Sequence, residues 1–250
     1  LMDRRPIVLN QNPFMAFKDD ERPEYNNQLL RATNFVVSSM KFVKTLRENI
    51  LEPEVFHLNP AKTDHPGFRK VMKLVPRSLA FYAAAGIYKA FPLDMSQYGR
   101  LFNSTRIPRK NKDELHSNPS ARHLLVMRKG NMYSVDVLDN NGNIKSPSEI
   151  MAHLKYILSD TRPPAEYPLG VMTSQDRDVW AGVRDKIIAA GNSDQMREID
   201  EAAFILSLDD VEIDDPATLS RCFLHGDGAN RWYDKSFSLL MTRDGKTSVN

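Results

Sequence analysis

The pattern of apolar positions predicts a long helix over about residues 24–51. Its apolar side chains recur every seven residues: Leu29, Val36, Val43 and Ile50. This spacing places them on one helical face. Pro23 suits the first turn of such a helix, and Pro53 lies just past its end. The seam could pair with another helix in a coiled coil, but it is more typical of a helix that packs on the core of its own chain.

Residues 64–91 predict two shorter helices separated by Pro76. In the first, apolar and basic residues fall on opposite sides: Phe68, Val71, Met72 and Val75 against Arg69, Lys70 and Lys73. The second, over 79–91, is apolar almost all round. Its length of thirteen residues falls short of the roughly 20 that a bilayer-spanning helix requires.

The remainder of the chain alternates helical and strand patterns. Strands are predicted at 122–127, 132–138, 169–172, 204–208, 237–242 and from 247 onward, and helices at 147–159, 174–190 and 194–202. Tight turns such as 140–142 join neighbouring strands as hairpins. The sequence therefore predicts an α/β (α+β) fold whose sheet is mixed and flanked by helices.

Composition narrows the class of protein. The 250 residues are enough for one large domain or two small ones, and 41% of them are hydrophobic. This content is too low for a polytopic membrane protein and too high for a disordered chain. A single cysteine, Cys222, excludes a disulfide scaffold and a cysteine-rich zinc module.

Charge is distributed unevenly along the chain. The net charge is +2, but residues 62–112 contain eleven basic and two acidic residues, a net charge of +9, and the rest of the chain carries −7. A basic block of this kind faces an anionic partner or forms a solvated surface.

The two ends suggest a piece of a longer protein. The first residues carry neither the apolar run of a signal peptide nor the composition of a transit peptide, and residues 246–250 have the pattern of a strand. We therefore expect a lobe that is incomplete at both ends.

Few residues form a motif with recognised chemistry. The phosphate-binding, dinucleotide-binding, zinc-protease and serine-hydrolase motifs are all missing from the sequence. Cys222 is interpreted as a buried structural thiol rather than a nucleophile. Glu149 and His153 are interpreted as a surface pair, and residues 139–143 as a turn rather than a calcium loop. We therefore predict no metal site.

Residues 225–235 form the most suggestive cluster. A histidine, two glycines and Asp227 could make an acid/base site on a flexible loop. The alternative is an architectural loop in which Arg231 and Asp234 bind the backbone or each other while Trp232 packs.

The same cluster carries a family resemblance. Residues 225–237 read HGDGANRWYDKSF and resemble the HGxGxNRWFDK signature of the choline/carnitine acyltransferases. Residues 12–17, 51–60, 92–98 and 102–108 also resemble segments of that family, and the similarity extends over the whole chain. Tyr233 replaces the usual phenylalanine. The signature residues, to which we assign a structural role, are His225, Gly226, Gly228, Asn230, Arg231, Trp232, Asp234 and Lys235.

The resemblance implies an enzyme that reversibly transfers long-chain fatty acyl groups between coenzyme A and carnitine, as in mitochondrial fatty acid import for β-oxidation. It also implies two domains with chloramphenicol-acetyltransferase-like folds, and residues 1–250 would be part of the first. The family's catalytic histidine would lie beyond Asn250, so we predict no catalytic residue here and no activity for this chain alone. Acyl-carnitine and coenzyme A would be substrates, bound mainly by residues absent from this chain, and no cofactor is predicted.

Two further sites follow from the resemblance. The apolar residues Pro13, Phe14 and Met15 could line the acyl tunnel, or they could simply anchor the chain in the core. Residues 60–91 resemble an insertion that the soluble acetyltransferase of the family lacks, implicated in association with the inner mitochondrial membrane. Its predicted membrane-associating residues are Phe68, Arg69, Lys70, Met72, Lys73, Arg77, Leu79, Phe81, Tyr82, Ile87 and Tyr88.

The expected location is therefore the matrix face of the inner mitochondrial membrane, as a peripheral protein. The alternative for 60–91 is a helical hairpin packed on its own domain. The alternative for the whole chain is a non-enzymatic adaptor that binds membranes or nucleic acid through block 62–112. Nucleic acid is disfavoured because the aromatic residues cluster at 79–91 instead of alternating with the basic ones.

Overall fold

The structure is a computed structural model that describes residues 4–6 and 12–250, apart from the side chain of Arg77. The chain divides into two compact units. The first contains the residues up to 44 together with 100–250, and the second is Thr45–Gly99.

Helices and strands are interspersed through the described residues. The strands are β1 Met15–Phe17, β2 Val55–His57, β3 Ala90–Pro92, β4 Ser104–Ile107, β5 Glu114–Ser117, β6 His123–Arg128, β7 Asn131–Asp136, β8 Ile205–Leu208, β9 Ser238–Met241 and β10 Thr247–Val249. The helices are α1 Gln28–Arg47, α2 Pro60–Thr63, α3 Pro66–Leu74, α4 Arg77–Phe81, α5 Pro147–Ser159, α6 Arg177–Ala189, α7 Ser193–Glu201 and α8 Pro216–Leu224. A π-helix, Tyr82–Ile87, continues α4.

A six-stranded sheet organises the first unit, with strand order β1-β10-β9-β8-β6-β7. Strands β6, β8 and β9 are parallel, and the other pairs are antiparallel. All four residues of β8 are buried, as expected for a strand covered on both faces. The predicted mixed sheet flanked by helices is confirmed.

The long helix is shorter than its hydrophobic pattern suggested. It begins at Gln28 because residues 23–26 form a 3₁₀ turn, and the side chain of Asn27 accepts hydrogen bonds from the backbone of Leu29 and Leu30. Its inner face is fully buried within the chain: Ala32, Val36, Met40 and Val43. Ile50 lies beyond the helix and is exposed.

Two predicted elements were wrong. Residues 169–172 belong to a 3₁₀ helix, Leu169–Ser174, rather than a strand, because Gly170 packs against the backbone of Arg231: a Cβ there would lie 2.3 Å from the Arg231 carbonyl oxygen. The helix predicted over 79–91 ends at Ile87. Lys89 takes a left-handed conformation, which stops the helix, and Ala90–Pro92 then pairs with β2.

Candidate functional site

The segment 230–235 runs beside the central sheet from one end of β8 to the other. Asn230 lies at the carboxyl end, where its side-chain amide donates to the carbonyl oxygens of Leu208 (3.2 Å) and Met127 (3.4 Å). Its Oδ1 accepts from the backbone of Gly130 at 3.3 Å. One buried asparagine thus links the ends of β6 and β8 to the β6–β7 turn.

Arg231 forms the next contact of the segment. Its Nη1 and Nη2 donate to the two oxygens of Asp209, at 2.9 and 2.7 Å, and Nη2 also donates to the Cys222 carbonyl at 2.8 Å. Burial works to lower the pKa of Arg231, but Asp209 more than offsets it, so the pKa is raised and the guanidinium stays charged. The pair ties α8 to the end of β8.

The position of Arg231 requires glycine at position 226. Gly226 has a φ of +57°, and a Cβ on it would lie 2.8 Å from Nη2 of Arg231. The carboxylate of Asp227 accepts from the backbone of Ala229 and Asn230, and Nδ1 of His225 lies 2.7 Å from the Gly226 carbonyl. Nδ1 of His225 and Oδ1 of Asp227 therefore contact backbone groups of the loop itself.

Trp232 and Asp234 lie in the core of the first unit. Trp232 packs edge-to-face on Trp180, with ring centroids 5.9 Å apart. Asp234 accepts from Nε1 of Trp180 at 2.7 Å and from Nη1 of Arg177 at 2.6 Å. Burial raises the pKa of Asp234, and Arg177 opposes that shift. Arg231 and Asp234 thus bind Asp209 and Arg177, partners distant in sequence, and not each other.

Lys235 ends the segment near the amino end of β8. Its Nζ donates to the backbone carbonyls of Ile199 (3.3 Å) and Asp200, in the last turn of α7. Burial lowers its pKa to about 7. The side chains of the segment therefore contact the carboxyl ends of β6 and β8 and the last turn of α7.

The other side chains that the sequence singled out are buried or bonded to nearby backbone groups. Cys222 is buried, as the sequence predicted, and burial raises its pKa to about 12. Glu149 forms a capping box with Ser146 at the start of α5. The side chain of Asp139 accepts from the backbone of Asn141 and Asn143, as in a turn. In the part of the chain that the structure describes, His, Cys, Asp and Glu side chains do not cluster in threes that could hold a metal ion.

The residues predicted for the acyl tunnel differ in exposure. Phe14 is half-buried, and its ring packs on Phe223 with centroids 5.9 Å apart. Pro13 is exposed, and Met15, in edge strand β1 opposite Val249, is 70% exposed. Met15 is therefore the member of the three whose side chain is most available to a ligand.

The predicted membrane-associating residues lie in the second unit. Leu79, Phe81, Tyr82, Ile87 and Tyr88 are all exposed, and Met72 is half-buried. Phe68 differs from them, because it is buried and packs on Tyr88 with ring centroids 5.2 Å apart. The side chain of Arg77 lies outside the described part of the structure.

Other apolar residues of this unit are exposed although they are not among the predicted ones. They are Val71, Leu74, Phe56 and Leu58, and Leu74 is the most exposed of them at 85%. Two basic residues of the same unit form ion pairs: Arg69 with Asp64 at 2.9 Å, and Lys73 with Glu52 at 3.6 Å. Within the described residues, every helix is too short or too polar to cross a membrane.

The fold and the signature segment define an acyltransferase of one family. The sequence model for choline/carnitine O-acyltransferases matches residues 1–250, and the chain belongs to this family.

Its relatives include proteins named carnitine O-palmitoyltransferase 2, mitochondrial. The human protein is 57% identical over all 250 residues and the mouse protein 56%, and in each case the match covers 38% of the relative. The muscle isoform of carnitine O-palmitoyltransferase 1 from rat is 36% identical over 169 residues, 64% of this chain and 22% of the relative. The chain thus spans 38% of the length of the relatives that match all of it.

Proposed function

We propose that this chain is part of an enzyme that reversibly transfers long-chain fatty acyl groups between coenzyme A and the hydroxyl of carnitine. The observation that carries the proposal is the similarity over the entire chain, 57% identity, to a human protein named carnitine O-palmitoyltransferase 2. The names of these relatives also support a mitochondrial location.

Within that enzyme, residues 1–250 contribute a lobe built on the mixed sheet. The signature segment binds carbonyl groups and buried charges of its own lobe, and burial raises the pKa of the Cys222 thiol to about 12. We therefore assign no catalytic residue within this chain. Carnitine and coenzyme A would be bound mainly by the rest of the longer protein.

The test compares the longer protein with the 250-residue chain. The longer protein should convert palmitoyl-coenzyme A and carnitine to palmitoylcarnitine, measured by mass spectrometry, and also catalyse the reverse reaction. The 250-residue chain should form none under the same conditions. Absence of palmitoylcarnitine with the folded longer protein, or its formation by the 250-residue chain, would contradict the proposal.

A second part of the proposal concerns residues 60–91 as a membrane-associating insertion. Its exposed apolar side chains and the basic residues Arg69, Lys70 and Lys73 suit the interface of an anionic bilayer. Each basic residue near such a surface contributes about 1 kcal/mol, so three add about 3 kcal/mol to the insertion of apolar side chains. We infer peripheral association with the matrix face of the inner mitochondrial membrane.

The third part concerns the acyl chain. Met15 offers an exposed, flexible thioether beside the anchored ring of Phe14. A thioether side chain adapts to apolar ligands of varying length. We infer that Pro13, Phe14 and Met15 line the path of the acyl chain in the longer protein.

A further inference from the structure

A cavity of about 500 Å³ lies at the carboxyl ends of β6 and β8. Its wall is formed by Lys129, by the residues that follow β8, by one side of α8 and by the signature loop. The apolar part of this wall includes Pro164, Ala165, Leu208 and Val211. Sites for small organic ligands have volumes of this order and are lined mainly by apolar groups with a few polar ones.

The acidic side chains in the wall already have partners. Asp209 binds both terminal nitrogens of Arg231. Asp210 accepts from Arg128 at 3.2 Å and lies 3.5 Å from Nζ of Lys129. Asp227 accepts two backbone hydrogen bonds from its own loop.

Two arginines in the wall each keep hydrogen-bonding groups without a partner among the described residues. Arg221 lies on an exposed position of α8, one turn before the end of the helix, and its guanidinium has no ion pair within the described part of the chain. Nε of Arg231 is buried and has no hydrogen-bond partner among the described residues. A buried donor without a partner is costly, and an acceptor from a ligand or water would satisfy it.

We infer that this cavity binds a small organic anion, a carboxylate with an apolar body. The carboxylate would pair with Arg221, whose planar guanidinium matches its geometry, while the apolar body lies on Pro164, Ala165 and Val211. A cationic ligand would instead compete with existing partners, because Asp209 and Asp210 already pair with basic side chains and Asp227 accepts from the backbone of its own loop. The inference rests on the cavity alone and does not depend on the proposed transfer reaction.

Octanoate is a suitable probe, and octan-1-ol is its uncharged counterpart. In titration calorimetry with the longer protein that contains this chain, octanoate should bind, and octan-1-ol should bind at least tenfold more weakly. Replacing Arg221→Gln should weaken octanoate binding by about tenfold or more, because a hydrogen bond to a charged partner is lost. Val211→Trp should also reduce binding by filling the cavity.

The matched control is Arg197→Gln, which removes an exposed arginine from α7, outside the cavity wall. This variant should bind octanoate as the parent chain does. Circular dichroism of all variants shows whether they remain folded. The inference is overturned if octanoate does not bind, if folded Arg221→Gln binds it unchanged, or if Arg197→Gln weakens binding to the same extent.

Discussion

Asp209 and Arg231 form a two-point ion pair at the carboxyl end of β8, with N–O distances of 2.9 and 2.7 Å. Both side chains are largely buried, and Asn230 and Cys222 supply further hydrogen-bonding groups to the pair. Removing one partner of a buried pair leaves the other charged and uncompensated. The pair therefore holds the signature loop, α8 and the end of β8 in one arrangement.

The first prediction follows from this pair. Asp209→Ala should lower the free energy of unfolding by about 3–5 kcal/mol, because it leaves the Arg231 guanidinium buried without a counter-charge. Glu212→Ala is the matched control, since its partner Arg243 is exposed and 3.6 Å away, and its effect should stay below about 1 kcal/mol. Urea denaturation measures both, and equal effects would contradict a specific role for the buried pair.

Glycine at position 245 is the subject of the second prediction. Gly245 has a φ of +81°, and a Cβ on it would lie 1.8 Å from the carbonyl oxygen of Asn26. Gly142 has a similar φ of +79° but nothing within 4 Å of its Cβ position. Gly142→Ala should therefore cost about 1–2 kcal/mol through backbone strain alone, and Gly245→Ala about 2–5 kcal/mol through strain and overpacking.

Thermal and urea denaturation of the two glycine variants provides the measurement. The difference between their free energies of unfolding isolates the contact with Asn26. The change from glycine to alanine reduces the freedom of the unfolded chain equally in both variants. Equal stability of the two variants would show that the turn after β9 can move away from the 3₁₀ turn that contains Asn26.

Local signals predicted much of this fold correctly. Helix α5 was predicted with its observed bounds from Pro147, and the structure shows that a capping box between Ser146 and Glu149 fixes its first turn. The β6–β7 hairpin was predicted from two strand-like runs on either side of a turn that contains Gly130. In these elements, the deciding interactions are between neighbours in sequence.

The remaining features depend on contacts between distant residues. Asp209 and Arg231 are 22 positions apart, and Arg177 and Asp234 are 57 apart, so spacing alone does not pair them. The short apolar run after Pro168 fits a strand or a buried turn equally well, and its packing on Arg231 decides the outcome. Recognition of the signature sequence located the segment, but its contacts with β6, β8 and α7 required the structure.

The third prediction concerns the pH dependence of stability. Burial lowers the pKa of Lys235 from its ordinary value of 10.5 to about 7 in the folded chain. Between these values the unfolded chain binds one more proton than the folded chain, so the free energy of unfolding rises as the pH increases from about 7 to 10.5. Each unit of pKa difference corresponds to about 1.4 kcal/mol, so the gain is a few kcal/mol.

Urea denaturation at pH 7 and pH 9.5 tests this contribution. Lys235→Met should lose the rise in stability that Lys235 provides, whereas Lys155→Met, at an exposed position of α5, should retain it. If the parent chain and Lys235→Met change equally between the two pH values, Lys235 does not titrate in this range.

The fourth prediction concerns membrane association of the longer protein. The double variant Leu79→Asp and Phe81→Asp should reduce its flotation with anionic liposomes several-fold, because it replaces exposed apolar side chains with charges that the bilayer repels. Tyr156→Asp with Tyr167→Asp is the matched control, since both tyrosines are exposed in the first unit. Equal flotation of both double variants would assign the association to another surface.

The fifth prediction concerns the acyl-chain preference of the longer protein. Met15→Trp should lower kcat/KM for palmitoyl-coenzyme A about tenfold relative to octanoyl-coenzyme A, because a rigid indole would occupy space that the end of a long chain needs. Met15→Leu keeps the volume and apolar character, so it should preserve the parent preference. Circular dichroism checks that β1 still pairs with β10 in both variants. An unchanged chain-length profile in a folded Met15→Trp variant would mean that residues 13–15 only anchor the chain, as the contact between Phe14 and Phe223 alone would suggest.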